Sequence, residues 1–541
     1  MGDTIINIVK KDFYRDSLQL MRITDDARRV VDGALDVAVV MGTSTNKEML
    51  KGIGLLDPTG EKATPSDVII AIKLEDRADP ARAVSIVEGL LQERAQTGKE
   101  GSDQSTFETI EEALAALPEA NLGLVSVPGR YAKDVCMILL KRGVSVQVFS
   151  DHVTLQDELE LKRFASTRGL FVLGPGSGTS IISGKGIAFA NNVKRGGLGV
   201  VAAAGTGLQE LSVLVDRLGL GISHALGVGG GDVKSEVGGI MSKLCLERLE
   251  SDGGTTALCF ISKPPSKEVA DELVDFIKAK IKKSIVICFI GADLGSKEEE
   301  RIKFAETLHT AAIRVSDMMG GSGSLGTPIE KLKEVWVSCS YRLGEEQRFL
   351  RGLFTGGTLT YESLVITTEL LGEVWSNSPI DPRMALEDYR VSRGNTLLDM
   401  GEEEFTEGRP HPMIDPTLRK MRLIQEASDP KVGVIMLDFV LGYGSHPDPA
   451  GEMVDPIVKA NQLAAAEGRQ LLIFGHVCGT EQDPQTLSRQ ETKLKEAGVF
   501  LFPTNAEMAL SAAMVLKYKQ EGVGCMDDHV SNSLRRFLGV S

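Results

Sequence analysis

The sequence has few long apolar runs, few aromatic residues and no paired cysteine motif. No stretch approaches the roughly 20 apolar residues that a membrane-spanning helix needs, and Met1 to Lys10 lacks the apolar core of a signal peptide. The seven cysteines are scattered without CxxC spacing, which is typical of buried free thiols in a reducing compartment. We therefore expect a cytoplasmic protein that does not use a membrane.

Positive charge and the common ligand motifs are also scarce. A net charge of −15 disfavours a general nucleic-acid surface, because the phosphate backbone would be repelled. There is no GxxxxGK[ST] loop, the glycine-rich run Gly227–Asp232 does not match GxGxxG, and no cysteine or histidine spacing predicts a metal site. An anionic substrate would have to be held locally, by backbone amides or a few cations.

What is present in abundance is glycine, with 58 residues, many of them directly after short β-branched runs. Such runs alternate with amphipathic segments, which predicts an α/β fold of several doubly wound parallel-sheet domains. At 541 residues the chain should form roughly three or four domains. The predicted divisions are a small α/β domain (1–115), a Rossmann-like domain (116–195), a first ligase-like sheet domain (196–318), a linker (319–344), a second ligase-like sheet domain (345–515) and a C-terminal tail (516–541).

Two short segments resemble each other and carry the main binding hypothesis. Ala203–Leu211 and Phe354–Glu362 each follow a predicted strand, contain Gly-Thr, and place a glutamate four residues after that threonine. The free N–H groups and the dipole at a helix start attract an oxyanion, so two such turns predict a shared phosphate site. The expected phosphate-binding residues are Ala204, Gly205, Thr206, Gly207, Gly356, Gly357 and Thr358. The alternative is that each threonine is an ordinary helix cap.

A third cluster lies in the proline-rich segment Gly408–Arg419. Three prolines hold it away from regular structure. His411 could move a proton near neutral pH, and Arg409 and Arg419 could grip a carboxylate or phosphate, which makes these three the catalytic candidates. The alternative is a rigid surface loop.

Further loops follow predicted strands, where open α/β sheets bind ligands. A loop bend alone would also explain each of them. From these loops Pro175, Ser177 and Lys263 are retained as candidates for substrate or CoA binding, and Asp399 and Asp415 are added to them.

Part of the chain resembles succinyl-CoA synthetases. Gly197–Gly239, with its Gly-Thr turn and His-Ala-Leu-Gly-Val-Gly-Gly-Gly-Asp run, is similar to the ligase domain of their α subunit. Val172–Pro175 looks like the end of their CoA-binding domain, and residues 351–515, with Leu398–Gly401, look like the ligase domain of their β subunit. The resemblance implies a CoA-binding domain and two flavodoxin-like ligase domains fused in one chain.

The whole chain resembles the FdrA family more closely. The shared motifs are Met41–Thr43, Ala63–Pro65, Phe149–Asp151, Gly205–Gly207, Ser262–Pro265 and Gly408–Pro416. Two features of the synthetases are missing from the sequence: Gly291–Gly295 holds no histidine where they carry a phosphorylated one, and no ATP-grasp module is evident.

The resemblance to FdrA proteins implies a subunit of oxamate carbamoyltransferase, which converts oxalurate and phosphate to oxamate and carbamoyl phosphate in allantoin catabolism. Phosphate or carbamoyl phosphate would be a substrate, other subunits would be partners, and the chain would be a homo- or hetero-oligomer. Two alternatives stay open: a CoA-thioester enzyme resembling acyl-CoA synthetases, with CoA as a possible cofactor, and a non-catalytic scaffold subunit.

Overall fold

The structure is a computed structural model, and it describes residues 4–13, 15–96, 107–292, 299–522 and 528–539. Two compact units are formed. The first combines Met1–Ala116 with Met400–Leu418, and the second combines Leu117–Asp399 with Arg419–Ser541. The α/β class expected from the sequence is confirmed.

The elements alternate along most of the chain. The strands are β1 (Thr4–Lys10), β2 (Ala34–Met41), β3 (Val68–Leu74), β4 (Leu122–Val125), β5 (Ser145–Val148), β6 (Val172–Leu173), β7 (Thr179–Ile182), β8 (Lys185–Ala188), β9 (Arg195–Ala203), β10 (Ile222–Gly227), β11 (Ala257–Ser262), β12 (Ser284–Phe289), β13 (Ile302–Ala305), β14 (Phe349–Phe354), β15 (Val374–Ser376), β16 (Asn395–Asp399), β17 (Val432–Val440), β18 (Leu472–Cys478) and β19 (Phe500–Phe502). The helices are α1 (Ser17–Val30), α2 (Ser44–Gly52), α3 (Pro80–Gln96), α4 (Ile110–Ala116), α5 (Gly129–Lys141), α6 (Leu155–Ser166), α7 (Gly205–Arg217), α8 (Ile240–Ser251), α9 (Lys267–Lys280), α10 (Leu308–Met319), α11 (Ile329–Ser340), α12 (Gly357–Leu371), α13 (Glu403–Thr406), α14 (Thr417–Ala427), α15 (Pro449–Ala466), α16 (Leu487–Glu496), α17 (Asn505–Glu521) and α18 (Asp528–Leu538).

The first unit is built on an antiparallel sheet in the order β1-β3-β2. Its central strand, β3, is apolar along most of its length and buried, as a strand with neighbours on both sides must be. Helices α1 and α3 contribute the rest of the core through apolar residues that include Leu20, Ile23 and Val87. The parallel sheet predicted throughout the chain is therefore wrong for this unit, whose strands pair antiparallel.

The second unit contains three parallel or mostly parallel sheets. The smallest has the order β4-β5-β6 and corresponds to the predicted Rossmann-like domain. The other two have the orders β13-β12-β11-β9-β10-β7-β8 and β15-β16-β14-β17-β18-β19. Both contain five parallel strands in the same arrangement, β10-β9-β11-β12-β13 and β16-β14-β17-β18-β19. In chain order the first of these five, β9 or β14, lies between the second and the third. This shared order supports the duplication suggested by the two similar turns.

Three predicted boundaries change in the structure. The hairpin β7–β8 pairs with β10 and so belongs to the first ligase-like sheet rather than to 116–195. The predicted linker 319–344 contains α11, whose buried Trp336 donates from Nε1 to Ser511 Oγ at 2.9 Å. The predicted tail contains the end of α17 and the packed helix α18, where Phe537 is fully buried. In each case the boundary depends on packing between residues far apart in the chain, which local composition does not show.

Candidate functional site

The two similar turns start helices α7 and α12, and these helix starts touch. Thr358 donates its backbone N–H to Thr206 Oγ1 at 3.1 Å. A methyl group added at Gly207 would lie 2.8 Å from Thr358 Cγ2, so this glycine permits the close approach. Helix α7 directly follows β9, and α12 directly follows β14. The contact between them therefore lies at the carboxyl edges of the two sheets, where α/β sheets bind ligands. The structure thus brings together Ala204, Gly205, Thr206, Gly207, Gly356, Gly357 and Thr358.

The start of α7 is open to an anion. Within the described part of the chain, the N–H groups of Gly205, Thr206 and Gly207 meet no hydrogen-bond acceptor, and the first bond in the helix runs from Leu208 N to Ala204 O at 2.9 Å. A Cβ at Gly205 would meet nothing within 4 Å. Because of these three amides and the helix dipole, the start of α7 has the more electropositive backbone of the two helix starts.

The start of α12, in contrast, has two carboxylates close to its backbone. Asp438 accepts hydrogen bonds from Thr355 N at 2.7 Å and from Gly356 N at 2.8 Å. Asp399 lies against Gly357, where an added Cβ would be 2.5 Å from Oδ2. When the two turns are aligned on their Gly-Thr pairs, the equivalent positions of the first sheet are Gly227 and Ile261, which carry no charge. The two helix starts are therefore paired in position but differ in charge, a difference the sequence comparison did not predict.

A lysine lies beside this pair. Lys263 follows Ser262, which is opposite Ala203 in the sheet register, just before the start of α7. Its half-buried ammonium lies over the ring of Tyr361 on α12, 5.3 Å from the ring centre, and no carboxylate in the described ranges forms an ion pair with it. The side chain is a cation available to an anionic ligand.

Arg419 occupies a different place from the one expected. Its side chain is buried and donates to Leu353 O at 2.9 Å and to Asp438 Oδ1 at 2.9 Å. Burial lowers its pKa, and the carboxylate of Asp438 opposes that shift. The role predicted for Arg419, gripping substrate, is not supported, because its Nε and Nη2 donate to groups inside the fold. It positions Asp438, which in turn holds the start of α12.

The remaining catalytic candidates belong to the first unit. Arg409 pairs with Asp415 at 2.8 Å, and its Nη1 is buried without a partner among the described residues. Asp415 also accepts from the hydroxyl of Thr417 at 2.6 Å, and although its burial alone would raise its pKa, Arg409 and these hydrogen bonds lower it. His411 Nδ1 accepts from Met413 N at 3.2 Å.

This loop is fastened to the end of β2 and the start of α2. Asn46 donates from Nδ2 to Gly408 O at 3.1 Å and to Met41 O at 2.8 Å. Gly408 has φ +67°, and a Cβ there would lie 2.6 Å from Thr43 Cγ2. Two motifs far apart in sequence are therefore neighbours in the first unit.

Pro175 and Ser177 lie in a loop that is fixed by its surroundings. Gln147 Nε2 donates to Ser177 O at 3.0 Å, and Ser177 itself is buried. Gly227 and Gly229 pack so closely on this loop that a Cβ at either would be 2.3 Å from a carbonyl oxygen. The glycine-rich run that failed to match a nucleotide motif thus has a packing role.

A buried polar cluster behind the paired helix starts was not predicted. Glu210 Oε2 lies 2.8 Å from His476 Nε2, and both side chains are buried. Glu362 accepts from Leu308 N at 2.7 Å and from Asn505 Nδ2 at 2.8 Å. The repeated glutamate after each Gly-Thr turn was the signal in the sequence, but its partners come from distant elements.

Glu507 borders this cluster and provides a test of its electrostatics. Burial raises the pKa of Glu507 to about 7, while Thr327 N donates to its Oε1 at 2.9 Å and its Oε2 has no partner in the described part of the chain. A carboxyl whose folded pKa is raised retains its proton in the folded state after the unfolded chain has lost it. The contribution of protonated Glu507 to the free energy of unfolding is therefore complete below about pH 4.3 and is lost as the pH rises through about 7.

We expect Glu507→Gln to stabilise the protein by about 1–3 kcal/mol at about pH 8 and by much less at about pH 5, since the amide cannot ionise. Thermal unfolding at the two pH values measures the difference. Glu521→Gln, an exposed change on the same helix, is the control and should shift stability little at either pH. Equal stabilisation by Glu507→Gln at both pH values would contradict the raised pKa.

Comparison with known proteins agrees with this architecture. Residues 4–108 match the family model described as "AllF, heavy metal-associated domain", and residues 353–516 match the one described as "CoA-ligase". YahF of Escherichia coli (strain K12), described as uncharacterized, is 39% identical over 93% of this chain and 97% of its own length. The chain belongs to the FdrA family.

This FdrA-family chain also shows weaker similarities to CoA ligases. The α subunit of an ADP-forming succinate–CoA ligase from Methanothermobacter thermautotrophicus is 28% identical over 31% of this chain and 56% of its own length. Among solved structures, an acetyl-coenzyme A synthetase from Ca. Korarchaeum cryptofilum is 15% identical, covers 80% of this chain and 89% of its own, and has a TM-score of 0.30. An ATP citrate lyase from Methanothrix soehngenii is 13% identical, covers 80% and 86%, and has a TM-score of 0.34.

The description of the first domain raises the question of a metal. Residues 4–108 of this FdrA-family chain contain neither cysteine nor histidine, the ligands that soft and borderline heavy metals prefer. No group of three His, Cys, Asp or Glu residues that could hold a metal was found in the described ranges. The residues present in this domain do not fit a heavy-metal site.

No helix among the described residues is long and apolar enough to cross a membrane.

Proposed function

We propose that this protein is the FdrA-type subunit of an oxamate carbamoyltransferase, acting on phosphate and oxalurate or, in reverse, on carbamoyl phosphate and oxamate. The observation that carries the proposal is the contact between the two helix starts, one of which presents three free backbone amides. The match of the first domain to the AllF family model supports an allantoin-catabolic setting. Membership in the FdrA family supports it further.

The reaction places simple demands on a protein. A phosphate oxygen attacks the carbamoyl carbon of oxalurate, a C–O bond forms, the C–N bond to the oxamate nitrogen breaks, and that nitrogen takes up the proton from the phosphate. No ATP and no nucleophilic side chain are consumed. The protein must hold the phosphate next to the carbamoyl carbon and stabilise the negative charge that develops on the carbamoyl oxygen.

The start of α7 is proposed to hold the phosphate through Gly205, Thr206 and Gly207. The start of α12 is proposed to orient it through Thr358, with the carboxylates near α12 limiting how far the anion moves toward that side. Lys263 is proposed to neutralise charge on the phosphate or the oxamate carboxylate. Arg409 and His411, which belong to the first unit, stay candidates from the sequence alone for binding the carboxylate and moving the proton.

Phosphate release from carbamoyl phosphate and oxamate tests the proposal. The full chain is assayed alone and together with the proteins encoded beside it, and activity only in the mixture would make this chain one required subunit. Lys263→Met should lower the rate by about 10-fold or more, since a charge-assisted contact is lost. Lys267→Met, an exposed change nearby, is the control. No phosphate release under either condition would exclude the proposed activity.

A CoA-thioester ligase is the second candidate, favoured by the CoA-ligase family match and the succinate–CoA ligase relatives. In that case CoA should raise the melting temperature of the purified chain, while carbamoyl phosphate with oxamate should have no effect. The small sheet β4-β5-β6 would be the proposed CoA-binding domain. Other subunits, homo- or hetero-oligomerisation and a cytoplasmic location are part of both proposals.

A further inference from the structure

Two buried glutamates occupy the same position on the two site helices. Glu210 lies on α7 and Glu362 on α12, each more than one turn beyond the helix start. Each carboxylate is about 1% exposed. A buried carboxylate is costly unless hydrogen-bond donors compensate for the lost water, so the partners of these two side chains indicate what the glutamates hold together.

Each glutamate is bonded to the other half of the second unit. Glu362, from the second ligase-like half, accepts from Leu308 N at 2.7 Å, which is the first residue of α10 in the first half. Glu210, from the first half, lies 2.8 Å from His476 Nε2 on β18 and accepts from Asn505 N, the first residue of α17, at 3.4 Å. Both α10 and α17 follow the last strand of their own sheet, β13 and β19 respectively. The two contacts are therefore reciprocal: each site helix supplies a carboxylate to a helix start in the opposite half.

Asn505 joins the two contacts into one network. Its backbone N–H donates to Glu210, and its side chain donates to Glu362 Oε2 at 2.8 Å and to Leu359 O, within the first turn of α12, at 3.0 Å. A single residue thus links both glutamates and the start of α12. The side chain is fully buried, so water does not compete for these bonds.

The donors and acceptors in the network distinguish the two glutamates. Both groups that contact Glu362, Leu308 N–H and Asn505 Nδ2–H, are donors, so this carboxyl must accept at both oxygens. His476 Nδ1 must donate to Phe502 O at 3.1 Å, which leaves Nε2 to share a proton with Glu210. A glutamine could replace Glu210 and keep the contacts with His476 and Asn505, whereas a glutamine at position 362 would turn its NH₂ toward a donor.

We propose that Glu210 and Glu362 are positioning residues, which hold the starts of α7 and α12 against each other through reciprocal contacts with the opposite half and thereby set the geometry of the phosphate site. The inference rests on the proposed function only for its effect on phosphate. The contact between the helix starts is a property of the fold and can be measured without any ligand. Neither glutamate is placed in contact with the reacting atoms.

The test compares Glu210→Ala, Glu210→Gln and Glu362→Gln in the full chain. Thr367→Val is the matched control, because among the described residues its buried hydroxyl on α12 bonds only within the helix, to Ser363 O. The first readout is amide hydrogen exchange, resolved to the peptide that contains Thr358, whose N–H donates to Thr206 across the contact. The second is calorimetric titration with inorganic phosphate. Circular dichroism identifies temperatures at which every variant is folded.

We expect Glu210→Ala and Glu362→Gln to accelerate exchange at the start of α12 by about 10-fold or more, because the opening free energy there falls. The same two variants should weaken phosphate binding by about 10-fold, since small misplacements at a binding site are costly. Glu210→Gln should remain within about threefold of the parent in both readouts, because its amide satisfies both partners. Thr367→Val should leave exchange at Thr358 unchanged, whatever its effect on global stability.

The outcomes separate the two proposals. Unchanged exchange at Thr358 in folded Glu210→Ala and Glu362→Gln would overturn the positioning role. Equal effects of Glu210→Ala and Glu210→Gln would also overturn the proposed hydrogen-bond logic. If the parent protein binds no phosphate, the proposed function fails, while the exchange comparison still decides whether these glutamates hold the helix starts together.

Discussion

Replacing Arg419 with methionine is expected to lower the free energy of unfolding by about 3–5 kcal/mol, because the change leaves the fully buried Asp438 carboxylate without its cation. The arginine also donates to the backbone carbonyl of Leu353 at the end of β14, so a strand terminus loses a partner at the same time. Denaturant unfolding followed by circular dichroism measures the loss.

Lys420→Met is the matched control for this change. Lys420 is the next residue on α14 and pairs with Glu452 on the surface, where an ion pair contributes at most about 1 kcal/mol. If Arg419→Met proved as mild as Lys420→Met, the guanidinium would not be the partner that Asp438 requires. The original expectation, that Arg419 holds substrate, instead predicts a loss of activity at nearly unchanged stability.

Gly207→Ala is expected to reduce phosphate binding and carbamoyl transfer by about 10- to 100-fold, since displacements near 1 Å have costs of this size. The added methyl would stand 2.8 Å from Thr358 Cγ2, closer than ordinary van der Waals contact, so the two helix starts must separate. Titration with inorganic phosphate gives the affinity, and the phosphate-release assay gives the rate.

Gly205→Ala distinguishes this effect from a general intolerance of the turn. A methyl at Gly205 meets nothing within 4 Å and therefore leaves the contact between the helices intact. The fold should accept it, and any weakening of phosphate binding would show that the anion approaches this amide. If Gly207→Ala bound phosphate as tightly as the parent protein, the contact between the helix starts would have no part in the site.

Much of the second unit could be predicted from local sequence. Strands such as β11 and β12 are short apolar runs that are buried on both faces, and their positions could be predicted from composition. The pair of Gly-Thr turns pointed to a duplication because both turns sit after the first strand of equivalent sheets. Their contact, measured between Thr206 and Thr358, is where that expectation placed the site.

Other features depend on contacts between residues far apart in the chain and could not be read locally. The role of Arg419 is set by Asp438 on another strand, and the difference in charge between the helix starts is set by Asp399 and Asp438. The sequence shows a glutamate four residues after the threonine of each Gly-Thr turn. It does not indicate that the partners of these glutamates are Leu308, His476 and Asn505. The segment Asp293–Gly295, noted for its missing histidine, lies outside the described residues.

The discontinuous first unit has a consequence for how the protein is made. Its sheet and helices come from the first 116 residues, yet it includes Met400–Leu418, with Gly408 against Thr43. Met400 leaves the ribosome roughly 280 residues after Ala116, a delay of about 15–60 s at ordinary elongation rates. During that interval the nascent unit lacks the segment that contacts the end of β2 and the start of α2, so these residues stay accessible to solvent until the segment is made.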